Sequence, residues 1–274
     1  MNDQELIKAA LAEDLAGGVD ITSQATITAD ATATADFIAR TDGVIAGINI
    51  AHAVLAEVGL TDVTLAKKDG DRVKAGDLLI TVRGNTRAIL LAERTALNFF
   101  GHLSGVATLT SKWVAEVSGT KCQVRDTRKT TPGMRTIEKY AVRMGGGTNH
   151  RMNLSAAALI KDNHVAAAGG VVSAFAKVRA AYPEAEIEIE VDTLEQLKDV
   201  LAQQPDLVLL DNMSPEKCAQ AVLLVNGLCK LEASGGISIT NARAYAQSGV
   251  DYIAIGALTH SAPVFDIGLD LRAE

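Results

Sequence analysis

Residues 186–236 read EIEIEVDTLEQLKDVLAQQPDLVLLDNMSPEKCAQAVLLVNGLCKLEASGG, and their rhythm decides the fold. Short β-rich runs, EIEIEVD, DLVLLD and KLEAS, alternate with helical runs around 193–203 and 215–225, as in strand-helix-strand units that build a parallel sheet. The alternation extends both ways, to CQVRD (122–126) and ALIKD (158–162) upstream and DYIAIG (251–256) downstream, with helices expected around 134–144, 170–181 and 240–248. Each run ends on a polar residue or glycine: Arg125 and Asp126, Lys161 and Asp162, Glu190, Asp211, Ser234 with Gly235, and Gly256. From Lys161 onward the intervals are 29, 21, 23 and 22 residues, each about one strand plus one helix. In a β/α barrel the carboxyl ends of all strands meet on one face, so these residues converge on one site.

The chain before residue 120 reads differently. Residues 3–15 space Ile7, Leu11 and Leu15 four apart and predict an amphipathic helix ended by Gly17-Gly18. Strand-like text over 31–46, a helix over 50–58 and strand-like text over 63–82 follow. Within the last, KDGDRVKAGDLLITVRG (68–84) resembles the hammerhead-like sheet of lipoyl and biotinyl carriers, with turns at Gly70-Asp71 and Gly76-Asp77. Lys67, Lys68 and Lys74 lie outside a carrier motif, which favours a small α/β domain walling a site. Residues 88–115 predict one long or broken helix, with Gly101 and Gly105 marking the place for a break. Arg94 and His102 on that apolar helix read first as locally satisfied side chains. The expected division is an N-terminal α/β domain over 1–104, a barrel over 105–264, and a segment 265–274 packing back on the first domain.

Charge singles out residues 121–151, KCQVRDTRKTTPGMRTIEKYAVRMGGGTNHR, which carry net +6 in a chain of net −7. Such an island in an acidic field attracts a compact polyanion; a solvated basic helix face is the alternative, above all for Arg135, Lys139 and Arg143. Acidic balance without a basic aromatic stripe excludes extended nucleic-acid binding. No apolar run approaches a membrane span, and the N-terminus is acidic, so a cytoplasmic protein is expected. Cys122, Cys218 and Cys229 form neither a disulfide framework nor a zinc pattern and read as buried apolar residues.

The last strand ends, Ser234-Gly235-Gly236-Ile237 and Ile255-Gly256-Ala257, place small residues where barrels bind phosphate, or make tight turns. Arg forks suit planar carboxylates. Glu190 and Asp211 are hard oxygen donors suited to Mg2+ shared with a pyrophosphate. Neither a nucleophile elbow nor a P-loop is present, and GGGTNHR does not fit the dinucleotide fingerprint. Lys161 at a strand end leaves a Schiff-base aldolase open as an alternative.

RDTRKTTPGMRTIEKYAVRMGGGTNHRMNL, LIKDNHV, ERTALNFFGHLSGVAT, EIEVDTLEQ, LLDNMSPE, EASGGI and LTHSAPVFDIGLDL together resemble the quinolinate phosphoribosyltransferase family over nearly the whole chain. The resemblance implies an N-terminal α/β sandwich, an open TIM-like barrel of fewer than eight strands, and a homodimer whose sites are shared between subunits. It implies that quinolinate and phosphoribosyl pyrophosphate (PRPP) give nicotinate mononucleotide, pyrophosphate and carbon dioxide. Residue by residue, it puts Arg128, Lys129, His150, Arg151 and Lys161 around quinolinate, with Arg94 reaching in from the partner subunit. Glu190 and Asp211 fall at the ribose and Mg2+; Ser234, Gly235, Gly236, Gly256 and, less directly, His260 fall at the phosphate. Lys129, Lys161, Glu190 and Asp211 are the catalytic set, and Arg125 reads as a salt-bridging residue beneath the site or a member of it. A non-decarboxylating relative acting on nicotinate is the competing activity.

Overall fold

The computed structural model describes residues 2–273. Helices α1 (Asp3–Leu15) and α2 (Ile21–Thr26) precede β1 (Thr32–Ala39), β2 (Gly43–Val44), α3 (Ile48–Glu57), β3 (Asp62–Leu65), β4 (Arg72–Val73), β5 (Leu78–Asn85) and α4 (Thr86–Glu116). Then come β6 (Gln123–Arg125), α5 (Arg135–Met144), β7 (Ala158–Ile160), α6 (Asp162–Ala168), α7 (Val171–Ala181), β8 (Ile187–Val191) and α8 (Leu194–Leu201). The chain finishes with β9 (Leu207–Asp211), α9 (Pro215–Val225), β10 (Lys230–Ser234), α10 (Ala242–Gln247), β11 (Tyr252–Ala254), α11 (Ala257–His260) and β12 (Ile267–Ala273). Every strand and helix expected from residue 122 onward forms, within a few residues of its expected bounds; α6, α11 and β12 come in addition to them. Among the described residues no helix is long and apolar enough to cross a membrane.

Two compact units interleave along the chain. The first holds residues through Ser111, Thr131–Gly146 and those from Leu258; the second holds Lys112–Thr130 and Gly147–Ala257.

In the first unit, an antiparallel sheet has the order β12-β1-β5-β3. β1 alternates as a half-buried strand should, with Ala33, Ala35, Phe37 and Ala39 buried. Both expected turns form: Gly70 and Gly76 have φ +92°, and the carboxylates of Asp71 and Asp77 accept from the Lys68 and Lys74 amides at 3.0 and 3.2 Å. Of the two readings, one long helix or a broken one, the first holds: α4 runs unbroken for 31 residues. Its glycines answer to close approach instead. A Cβ on Gly105 would stand 2.1 Å from the Pro263 carbonyl oxygen, and one on Gly101 2.9 Å from that of Phe265. The Phe265 amide also donates to the Gly101 carbonyl at 2.9 Å.

In the second unit six parallel strands have the order β6-β11-β10-β9-β8-β7, and a bridge from Arg125 to Thr148 continues the sheet one position beyond β6. No pairing among the described residues joins Thr148 to β7, so the barrel is open there and has fewer than eight strands. β8 is buried along its whole length, as a strand covered on both faces requires. Its alternation separates Ile187, Ile189 and Val191 from Glu188 and Glu190, which therefore share a face. Cys122 and Cys218 are buried and Cys229 is half-buried; burial pushes the three thiols up to about 12, 11 and 11, which keeps them inert.

Candidate active site

Four strands of the second unit end on groups expected to meet. Lys161 follows β7, Glu190 lies near the end of β8, and Asp211 and Ser234 close β9 and β10 directly opposite one another. The Lys161 ammonium hydrogen-bonds the Glu190 carboxylate, whose other oxygen accepts from the Asp162 amide at 3.4 Å. Burial, then the charge of Glu190, raises the Asp211 pKa, while Lys161 opposes the rise. Asp211 thus feels both the Glu190 carboxylate and the Lys161 ammonium.

Asn212, to which the strand-end pattern gives no role, joins two strand ends. It sits in the left-handed region at φ +53°, donates through Nδ2 to Asp211 Oδ2 at 2.6 Å, and donates through its amide to the Ser234 carbonyl at 2.8 Å. A Cβ on Gly235, itself at φ +84°, would lie 2.1 Å from Asn212 Oδ1, so this position needs glycine twice over. Gly236 follows at φ +63°. Gly256 lies past β11, where the Ile255 amide still bonds the Arg125 carbonyl at 2.9 Å.

The cationic residues enter from loops. Arg128 and Lys129 sit in a tight turn after β6, closed by the Thr130 amide on the Arg128 carbonyl (3.0 Å) and the Lys129 amide on Thr127 Oγ1 (3.0 Å). Lys129 is exposed and Arg128 and Arg151 are half-buried. Burial, then the charge of Arg128, lowers the pKa of Arg151. Paired guanidiniums of this kind suit a dianion. Beyond Thr148 no ladder serves the backbone, so side chains replace it. Buried Asp126 accepts from the His150 amide at 2.8 Å and from Asn149 Nδ2 at 2.5 Å. The Arg151 amide donates to His150 Nδ1 at 2.7 Å, and the Lys161 amide to His164 Nδ1 at 2.9 Å.

Beneath these groups lies a buried ionic layer. His150 Nε2 stands 2.8 Å from Glu188 Oε2 and 3.6 Å from Glu232 Oε1. Arg125 Nη1 bonds Glu232 Oε2 at 2.9 Å, its guanidinium 4.1 Å from the Tyr252 ring centroid. Desolvation pushes both Glu188 and Glu232 up to about 7, against the nearby cations. Arg125 moves up despite its own burial, because its acidic neighbours, Glu232 first, together outweigh it. The ligand atoms of His150, Glu188 and Glu232 lie within 4.8 Å of one another, yet the Arg125 guanidinium already supplies positive charge there. Arg125 is salt-bridged to buried Glu232, as one of its two readings expects. A cavity of about 270 Å3 adjoins the layer, lined by Arg125, His150, Arg151 and Glu188.

Other expected residues lie in the first unit. Arg94 is exposed on α4 and lines a cavity of about 410 Å3 with Glu13, Asp14, Asn98 and His102. His102 is locally satisfied as expected, 2.8 Å from buried Glu138. His260 is exposed and pairs with Ser261 Oγ at 2.7 Å. The solvated-face reading of α5 fails at one position: Arg143 is exposed, but Lys139 has no exposed surface, because it shares the helix's buried side with Ile137, Glu138 and Val142.

Two family models match the chain: the N-terminal domain of quinolinate phosphoribosyl transferase over residues 20–104 and its C-terminal domain over 106–270. A nicotinate-nucleotide pyrophosphorylase [carboxylating] from Mycobacterium leprae is 52% identical, covering 98% of this chain and 96% of the relative. A probable enzyme of the same name from Bacillus subtilis is 39% identical, covering 98% and 93%. Among solved structures, nicotinate-nucleotide pyrophosphorylase from Ehrlichia chaffeensis superposes with TM-score 0.95 at 40% identity, covering 99% of each chain. Human nicotinic acid phosphoribosyltransferase shares the fold, with TM-score 0.66 at 14% identity, 99% of this chain and 74% of that one.

Proposed function

The chain belongs to the quinolinate phosphoribosyltransferase family, and from that premise we infer that it transfers phosphoribose from PRPP to quinolinate with decarboxylation. The products are nicotinate mononucleotide, pyrophosphate and carbon dioxide, a step of NAD biosynthesis. One observation supports the substrate class above others: Arg128 and Arg151 are close enough for one charge to depress the other's pKa, an arrangement that an aromatic dicarboxylate relieves.

Arg128, Lys129, Arg151 and Lys161, together with His150 acting through Arg151, form the wall for the two carboxylates, and their fixed spacing turns the pyridine nitrogen toward the ribosyl carbon. Ser234, Gly235, Gly236 and Gly256, with His260, hold the phosphate through amides and small side chains that let it approach the backbone. Glu190 and Asp211, with Lys129 and Lys161, are the catalytic set: the carboxylates stabilise positive charge on the ribosyl centre as pyrophosphate departs. The two neighbouring carboxylates fit Mg2+, which takes one or two protein oxygens alongside substrate phosphates and, when bound, would neutralise charge on the leaving group. The ribosylated ring is then the electron sink for carboxylate loss, so the chain needs no side-chain nucleophile.

Arg94 completes the site of a second copy, making a homodimer the working unit. A cytoplasmic location belongs to the same proposal, supported by the acidic composition and three free thiols. Quinolinate and PRPP with Mg2+ should yield carbon dioxide and pyrophosphate in equal amounts. Turnover of nicotinate without turnover of quinolinate would reassign the chain to non-decarboxylating chemistry.

A further inference from the structure

We propose that Glu188 is a positioning residue for the dicarboxylate substrate: it holds His150 in the tautomer whose Nδ1 lone pair anchors the Arg151 backbone, so that His150 acts on the substrate through Arg151. This rests on the quinolinate reading above. A backbone N–H can only donate, so the 2.7 Å contact from the Arg151 amide requires an unprotonated His150 Nδ1. The neutral ring then carries its proton on Nε2, and that proton points at Glu188 Oε2, 2.8 Å away, with Glu232 Oε1 farther off at 3.6 Å. Both ring nitrogens are engaged within the protein, and the ring is 8% exposed. His150 therefore has no nitrogen left to donate to a substrate carboxylate.

Glu188 is 4% exposed, and its carboxylate faces His150 through Oε2; the other oxygen, equally buried, has no hydrogen-bond partner. A buried carboxylate oxygen set against a ring nitrogen can hold that ring in one protonation state. The chain of contacts runs from Glu188 to the His150 ring, from the ring to the Arg151 amide, and along the side chain to Nη1, which is fixed on the Ala157 carbonyl at 2.8 Å. Asp126 secures the His150 amide from the other side. The Lys161 amide, too, donates to a histidine Nδ1, that of His164.

The test uses the full-length enzyme with Glu188→Ala and Glu188→Gln. Glu188→Ala should raise KM for quinolinate about tenfold, the scale of one lost hydrogen bond, with KM for PRPP changed less than about twofold. Glu188→Gln, which keeps the acceptor oxygen, should restore KM for quinolinate to within about threefold of the parent. An unchanged KM for quinolinate in Glu188→Ala, an equal rise in both KM values, or failure of the Gln rescue overturns the proposal. Should Glu188→Ala not fold, 15N NMR of the histidine-labelled parent decides. The ring signals missing from a His150→Gln variant should show a protonated Nε2 and an unprotonated Nδ1, and an imidazolium or the opposite tautomer overturns the assignment. Absence of quinolinate turnover in the parent would defeat the functional reading instead, and the NMR signals would still fix the tautomer independently.

Discussion

Glu232 has no exposed surface, and its pKa in the folded chain, about 7, lies well above its ordinary value of 4.5. Desolvation comes first among the causes, and Glu188 adds to it. Between those two values the folded chain binds more protons than the unfolded one, so stability is full below the lower value and falls as pH rises through the higher. Glu188 contributes the same sign. Replacing Glu232 with Gln should roughly halve the fall in Tm with pH between about 5 and 7, as followed by thermal unfolding. A slope as steep as the parent's would show that Glu232 ionises freely. The residues at strand ends were legible because a barrel gathers strand ends by construction; Lys161, Glu190 and Asp211 interact as that rule requires. Glu188 and Glu232 were not. Acids at alternate strand positions look like a wet face, and only the burial of β8 and β10 shows that this face is covered.

At the scale of elements, α4 sets two rules against one another. Helix propensity says Gly105→Ala should stabilise by about 1 kcal/mol. The new Cβ, however, would stand 2.1 Å from a backbone oxygen, that of Pro263, which cannot rotate aside. Overpacking costs typically about 1 to 3 kcal/mol, so the clash should win and Tm should drop. A rise in Tm would mean that residues 263–265 shift at little cost. The alternation of strands and helices from residue 122 was readable because each element announces its own period. The glycines of α4 left a long or a broken helix open because glycine serves both helix breaks and close contacts, and only the distant neighbours Pro263 and Phe265 tell which. Residues 265–274 were expected to lie against the first domain, but not as a strand on β1: seven residues alternating toward the C-terminus do not declare which edge they will pair with.

For the molecule as a whole, the shared-site proposal has a stoichiometric consequence. Arg94→Ala and Arg151→Ala subunits, each nearly inactive alone, should regain about a quarter of parental activity when unfolded together and refolded in equal amounts. Half of randomly formed dimers are mixed, and each mixed dimer holds one intact site. No recovery in the refolded mixture would put Arg94 and Arg151 in sites completed within one subunit. The broad plan was readable from composition and rhythm, whereas the assignment of residues 131–146 to the first unit was not, since it depends on packing that leaves no periodic trace.

The pairing of β12 with β1 also bears on how the chain is made. β1 ends at Ala39, yet its outer neighbour begins only at Ile267. All six strands of the parallel sheet have been translated by Ala254. On the ribosome, the unit begun first is thus the last to finish, and through most of synthesis β1 presents a row of unsatisfied amides and carbonyls to whatever nascent chain or chaperone lies nearby. A premature stop before Ile267 would leave every strand of the parallel sheet in place and still yield a protein with a sticky border.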